Sequence, residues 1–199
     1  MQRVILLLTM MAATLVVASG VALAVNKMGT NGPDTLKGTN GADNLFGNGG
    51  NDTLFSFAGN DNLLGGAGKD EVLGGDERNP KGGNKNLVGG PDNDVVYTGF
   101  GSDKAVGGTG NDLLVEEKTR GLSTDTYSGD SGNDVFLVNT KPANKDIVAC
   151  GSGFDRVLAD SKDVVASDCE QVLLNLSDQE FFETVPQSFF ESLPPPPFG

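Results

Sequence analysis

The chain has 199 residues and a formal net charge of −13, from 27 Asp+Glu against 14 Lys+Arg. It has no histidine, no tryptophan and 29 glycines, about twice the ordinary ~7% glycine share. These counts exclude Ser-His-Asp and Cys-His catalysis and His-bearing zinc or haem sites, and the negative charge disfavours nucleic-acid backbones and anionic membranes.

Residues 1–24 read as a secretory signal peptide. Arg3 supplies the positive start, Val4 to Val17 is an almost unbroken apolar run, and Ala22-Leu23-Ala24 fits a small-x-small cleavage pattern. The rival reading is an uncleaved anchor, since Val4 to Val25 is just long enough to span a bilayer. Small and polar residues at Ser19 and Gly20 favour cleavage. No other segment is apolar for long enough to cross a membrane, so no span is expected after cleavage, and a secreted, extracellular location follows. In an exported chain the only two cysteines, Cys150 and Cys169, suggest one disulfide. It would close a loop of about 20 residues and add roughly 3 kcal/mol by loop entropy.

From Gly29 the chain repeats every nine residues. Units begin at Gly29, Gly38, Gly47, Ser56, Gly65, Pro80, Gly89, Thr98, Gly107, Arg120, Gly129, Lys141 and Cys150. Residues 74–79, 116–119 and 138–140 interrupt the register. Position 6 is Asp in 12 of the 13 units, Lys85 being the exception, and position 8 is apolar in all 13. Position 4 is Gly in 10, failing at Asp92, Ser123 and Asn144. Composition alone would not gather 12 of 19 aspartates into one column.

Each column has a physical reason. A glycine-rich stretch suits a turn with positive φ angles. Asn at position 5 (Asn51, Asn60, Asn93, Asn111, Asn133) is expected there for its tolerance of left-handed backbone. Positions 7 to 9 form a very short strand with position 8 inward. Turn, strand, turn, strand makes one coil per 18 residues, and stacked coils make two parallel sheets over a thin core. Six and a half coils at about 4.8 Å each give a stack roughly 30 Å long.

The pattern Gly-Gly-x-Gly-x-Asp-x-apolar-x resembles the haemolysin-type, or RTX, calcium-binding repeat. Gly107 to Val115 (Gly-Gly-Thr-Gly-Asn-Asp-Leu-Leu-Val) match it at every defined position, and the resemblance covers residues 29–158. It implies an all-β fold, a right-handed parallel β-roll (a β-solenoid of nonapeptide repeats). It also implies Ca²⁺ ions, each shared between a turn and the next turn on the same flank, held by position-6 aspartates and turn carbonyls.

The chemistry of the columns agrees. Asp34, Asp52, Asp70, Asp94, Asp112 and Asp134 should stack on one flank, and Asp43, Asp61, Asp103 and Asp125 on the other. Neighbouring carboxylates repel by about 4 kcal/mol at an effective dielectric near 20. A dication between turns reverses that sign. Oxygen ligands on flexible turns suit calcium, whereas Mg²⁺ demands a tighter octahedron. These ten aspartates are the candidate ligands, for about five to eight calcium ions. Lys85 should abolish ions at its own turn, with its ammonium in their place. No EF-hand loop occurs.

Residues 159–172 read as one degenerate coil, with Asp163 and Val165 echoing positions 6 and 8. The Cys150–Cys169 bridge would pin this C-terminal cap to the roll, making 25–172 one unit. The tail, 173–199, contains Phe181, Phe182, Phe189, Phe190 and Pro194 to Pro197. Its expected state is disordered and partly polyproline, the alternative being a docking segment. Position 9 is unusually apolar (Phe46, Phe55, Leu64, Leu73, Val88, Tyr97, Val106, Val115). Such a stripe marks either an interface with the tail, a second copy or another protein, or partial burial beneath neighbouring side chains.

The function expected is a secreted, non-enzymatic calcium-binding protein with a structural or adhesive role. Nothing outside the repeats is longer than about 40 residues, too short for the protease, lipase or pore-forming domains the family usually carries. A polysaccharide-binding module is the alternative, disfavoured by sparse Lys and the absence of Trp. An ice-binding face would need an aligned outward Thr/Asn row. Thr30-Asn31 and Thr39-Asn40 begin one, and Phe57-Ala58 and Gly66-Ala67 break it.

Overall fold

The structure, a computed structural model, describes residues 23–75, 83–116, 123–140, 143–174 and 176–195. The expected signal peptide lies almost wholly outside the described residues. Strands follow one another throughout: β1 (Asn26–Met28), β2 (Thr35–Lys37), β3 (Asn44–Gly49), β4 (Thr53–Phe55), β5 (Asn62–Ala67), β6 (Glu71–Leu73), β7 (Asn86–Pro91) and β8 (Val95–Tyr97). Then come β9 (Lys104–Thr109), β10 (Leu113–Val115), β11 (Thr126–Ser131), β12 (Val135–Leu137), β13 (Ile147–Ser152), β14 (Arg156–Ala159), β15 (Val164–Val165) and β16 (Gln171–Leu174). Odd-numbered strands form one eight-stranded sheet and even-numbered strands the other, each in stacking order. Every pairing is parallel. This is the parallel β-solenoid that the nine-residue period predicts, begun one strand earlier by β1.

The register shows how the interruptions are absorbed. Equivalent residues of successive coils are 18 apart at Asp52 and Asp70, 24 apart at Asp70 and Asp94, 22 at Asp112 and Asp134, and 21 at Asp125 and Asp146. The extra residues therefore leave the strand pairing intact. Between the sheets lies a one-residue-thick core. All thirteen position-8 side chains, from Leu36 through Tyr127 and Phe136 to Val157, belong to one buried cluster.

Two features differ from the sequence expectation. Strands confined to positions 7–9 hold for most of the even-numbered sheet only. In the other sheet β3, β5, β7, β9, β11 and β13 run on through positions 1–3 of the next unit. That continuation needs backbone at positive φ within the strand, supplied at position 2 by Asn48, Gly66, Gly90, Gly108, Asp130 and Gly151. Positive φ also recurs at position 4, as in Gly50, Gly68 and Gly110, but at no position-5 asparagine among the described residues. The position-5 side chains bridge coils instead. Asn51, Asn60, Asn84, Asn93, Asn111 and Asn133 each accept, through Oδ1, the backbone N–H of the equivalent residue one coil on, at 2.8–3.2 Å.

The cap is as expected. β15 pairs with β13 and β16 with β14, and Cys150 is disulfide-bonded to Cys169.

The tail departs from the expected disorder. Residues 176–195 include two short helices, α1 (Asp178–Phe182) and α2 (Gln187–Ser192). Ser177 and Glu180 form a capping box at the start of α1. Phe181, Val185 and Phe189 are buried against Val95, Leu113, Val135 and Leu158 on the outer face of the even-numbered sheet. Those residues occupy position 7 in three coils and position 9 in one, so the tail covers more than the apolar stripe. Of that stripe, Tyr97 and Val115 pack against the docked tail. Phe46, Leu64, Val88 and Val106 lie on the other sheet, where Leu64 is exposed. The four phenylalanines meet edge to face, Phe182 with Phe190 at 5.4 Å and Phe189 with Phe190 at 5.5 Å.

Removing a buried aromatic costs about 3–5 kcal/mol. Phe181→Ala is therefore expected to detach the tail without unwinding the roll. Limited proteolysis should cut residues 176–195 much faster in the variant, while its far-UV circular dichroism in calcium stays that of the parent.

Candidate metal centres

Each position-6 residue sits in the turn immediately before a strand, so alternate nonapeptides place it on alternate flanks. Asp34, Asp52, Asp70, Asp94, Asp112, Asp134 and Asp155 line one flank. Asp43, Asp61, Lys85, Asp103, Asp125, Asp146 and Asp163 line the other. The two stacks predicted from the sequence are thus both assembled, and each extends further than the ten expected ligands.

Within a stack, the backbone N–H of each position-6 residue donates to Oδ1 of the aspartate one coil on, at 2.7–3.0 Å. Asp61 to Lys85 is the one break, because lysine offers no acceptor. This bond fixes the carboxylate and aims its other oxygen beneath the position-1 residue. A Cβ on Gly47 would lie 2.3 Å from Asp52 Oδ2 and 2.2 Å from the Gly65 carbonyl. At this turn only glycine leaves that space to the oxygens, whereas Ser56, Thr98 and Cys150 stand at position 1 above Asp61, Asp103 and Asp155.

The second oxygen has no donor. Oδ2 of Asp52, Asp61, Asp70, Asp94, Asp103, Asp112, Asp134, Asp146 and Asp155 is buried and accepts no hydrogen bond. Native proteins leave few buried polar atoms unpaired, so an unbroken column of them implies a missing partner. Three expected ligands differ. Asp34 Oδ2 accepts from the Thr30 backbone N–H and hydroxyl, and Asp43 from the corresponding groups of Thr39. Asp125 Oδ2 accepts from the Tyr127 hydroxyl at 3.4 Å. The first turns are thus satisfied within the chain, and the orphaned oxygens begin one coil later.

Burial raises these carboxyls, and neighbouring carboxylates raise many of them further. Asp94 is pushed up to about 9 by desolvation, then by Asp112, Asp70 and Asp92, against a lowering backbone hydrogen bond from Asp70. Asp134 reaches about 8, and Asp70, Asp103, Asp112 and Asp125 about 7, desolvation leading in each. At neutral pH an ion-free stack is therefore partly protonated or self-repelling.

Lys85 shows what a cation does in such a turn. The residue is 3% exposed, and its Nζ donates to the Gly83 carbonyl and, one coil on, to the Phe100 carbonyl, both at 3.1 Å. Burial still raises Asp61 and Asp103, and the Lys85 charge offsets part of that rise. An ammonium ion here is held by turn carbonyls of two coils between two carboxylates. The all-oxygen surroundings fit a hard cation in the other turns, with Oδ2 and turn carbonyls as ligands.

A family model for the RTX calcium-binding nonapeptide repeat matches four copies, at residues 28–56, 57–79, 82–114 and 121–136. The chain belongs to the RTX calcium-binding repeat family. No curated protein matches it. The RTX roll described here is accordingly a calcium-binding β-roll. Among the described residues no helix is long and apolar enough to cross a membrane.

Sequence reasoning left three acidic residues of this RTX roll out of the candidate ligands. Asp146 and Asp155 lie in the position-6 register but beyond the last pair considered. Glu116 lies outside the nonapeptides altogether, and its only signal was its place directly after Val115, where a position-1 residue is due.

The raised carboxyls fix a pH dependence. A folded-state value above the unfolded one near 4 gives stability that is full below pH 4 and is lost as pH rises through about 7 to 9. In chelator, whatever β signal the far-UV circular dichroism shows should therefore be greatest near pH 5 and lost by pH 8. With saturating calcium the trend should flatten or reverse, because ions displace the protons. Parallel spectra at the two pH values, with chelator and with calcium, check both signs.

Proposed function

We propose that this RTX protein is secreted and folds on binding calcium outside the cell, where the stiff roll serves a structural or adhesive role. The observation that carries the reading is the double column of buried carboxylates with one oxygen bonded and one orphaned. Without metal the roll stacks like charges around a thin core. With metal each dication neutralises two neighbouring turns, and the binding energy becomes folding energy. About five to eight ions between successive turns would satisfy the orphaned oxygens. On the first flank, Asp52/Asp70, Asp70/Asp94, Asp94/Asp112 and Asp112/Asp134 are pairs in which both Oδ2 atoms are orphaned.

Secretion is supported by Arg3 with its following apolar run and by the Cys150–Cys169 disulfide. A non-enzymatic role is supported by the placement of the carboxylates, which lie in equivalent turns and in no single asymmetric pocket. An adhesive role draws on the odd-numbered sheet, whose outer face carries exposed Met28 and Leu64 beside Phe46.

Far-UV circular dichroism of residues 25–199 should show a coil spectrum in chelator. It should turn to β with calcium between micromolar and millimolar, and not with magnesium. A β spectrum indifferent to chelator would overturn the reading. Asp112 belongs to two ion pairs, so Asp112→Asn should shift the calcium midpoint upward by about tenfold, a change near 1.4 kcal/mol. Lys85→Asp restores the repeat, and calorimetry should then find more calcium bound per chain than in the parent.

A further inference from the structure

One carboxylate cluster is not a product of the nonapeptide. Glu116 follows β10 in the column occupied by Gly38, Ser56, Gly74 and Thr98 in earlier coils. A Cβ at Gly38 would lie 2.5 Å from Asp43 Oδ2, so a side chain in this column is directed at the aspartate stack. Carboxylate oxygens of Glu116, Asp125 and Asp146 lie within 4.8 Å of one another. Glu116 is 4% exposed, and Asp125 and Asp146 are fully buried.

The cluster's surroundings are built and incomplete. Asn144, which replaces a turn glycine, donates through Nδ2 to Glu116 Oε1 at 2.9 Å and to the Ser123 carbonyl at 2.8 Å. The Thr140 hydroxyl donates to Asn144 Oδ1 and sets the orientation of that amide. The Tyr127 hydroxyl reaches Asp125 Oδ2 at 3.4 Å and pairs with Thr98 Oγ1 at 3.2 Å. Yet Glu116 Oε2 and Asp146 Oδ2 are buried and no donor reaches them, so the two carboxyls can pair with each other only by sharing a proton. Among the described residues no basic side chain is hydrogen-bonded to any of the three carboxylates.

We propose that Glu116, Asp125 and Asp146 bind one calcium-class divalent cation through side-chain carboxylates, at a site different in kind from the glycine-turn sites. Three carboxylates come from three separate segments, before β11, before β13 and after β10. A turn carbonyl, that of Ser123, is already engaged by Asn144 and is replaced here by glutamate. The ligands are all oxygen, which excludes soft metals. More ligand charge and a more rigid, preformed cage both tighten calcium sites, so this ion binds before the others. It ties the end of β10 to two later coils. The inference requires the roll but not calcium in the glycine turns.

Tyrosine-sensitised terbium luminescence tests it on the full chain, which has two tyrosines and no tryptophan. Tb³⁺ is a hard, oxygen-seeking probe of calcium sites, and a nearby phenol transfers excitation to it. The expected result is sensitised emission saturating at the lowest Tb³⁺ concentrations, abolished by Tyr127→Phe and kept by Tyr97→Phe. Glu116→Gln should weaken that emission's midpoint by about tenfold or more, while Glu191→Gln, at an exposed carboxylate of α2, leaves it in place. Circular dichroism in calcium establishes that each variant folds. Emission unchanged by Tyr127→Phe in the folded protein overturns the proposal, and so does a Glu116→Gln variant with the parent's midpoint, which would mean that Glu116 holds a proton. If calcium-driven folding persists while the Tyr127-dependent emission is missing, this site alone fails. If no folding responds to calcium, the reading of the turn sites fails with it.

Discussion

Each coil is held to the next by a position-6 aspartate whose Oδ1 accepts a backbone N–H, and the same geometry buries Oδ2 with nothing to accept. The bond and the deficit cannot be separated. Turning the carboxylate to expose Oδ2 would break the inter-coil bond, and at the glycine turns filling the space above it would need a side chain where only glycine fits. A parallel coil with a core one residue thick has little apolar burial to set against a column of like charges. The electrostatics of the turns therefore decide whether the stack stands.

The chain meets this one problem in several local ways, and the differences are informative. At the N-terminal end Thr30 and Thr39 supply the missing donors from within their own turns. In the middle Lys85 puts a covalent cation between Asp61 and Asp103, held by carbonyls of two coils. Near the C-terminal end Asn144 claims a turn carbonyl and Glu116 adds a third carboxylate. Only the unmodified turns keep the plain arrangement of orphaned oxygen and glycine. A roll neutralised throughout by lysines would stand without metal and could not respond to it. On the proposed function, a roll with one such lysine keeps a fixed point and would leave the remaining coils dependent on ions.

The period made the main architecture legible. A residue type repeated every nine positions must recur at one place on a two-sided coil, so the Asp column and the position-8 core followed directly. The lengths of the interruptions were legible for the same reason, since 18-residue pairing resumes after each. What the period could not show is what the columns do to each other across coils. Asn111 read alone suggests a left-handed turn residue, but in the stack its Oδ1 accepts the Asn133 N–H, a contact that no single repeat contains. Glu116 was hidden because an interruption has no register of its own until the strands around it pair. The tail was misread because Phe181 and Phe189 are two aromatics among many polar residues. Their docking surface is assembled only when Val95, Leu113 and Val135 line up from three coils.

On the proposed function, that docking surface would couple the tail to the ions. Val95, Leu113 and Val135 each directly follow a position-6 aspartate: Asp94, Asp112 and Asp134. The backbone that aims a carboxylate into the turn also fixes the apolar residue beneath α1 and α2. Displacing one coil relative to the next would break the Oδ1 bond, open the ion position and step the tail's binding face out of line. On the proposed function, calcium in these turns would do more than cancel charge. It would hold the coil spacing against which the outer face is assembled, so a segment that packs on three coils at once would report on the order of all of them. A long, thin roll has no deep core to enforce that order by itself.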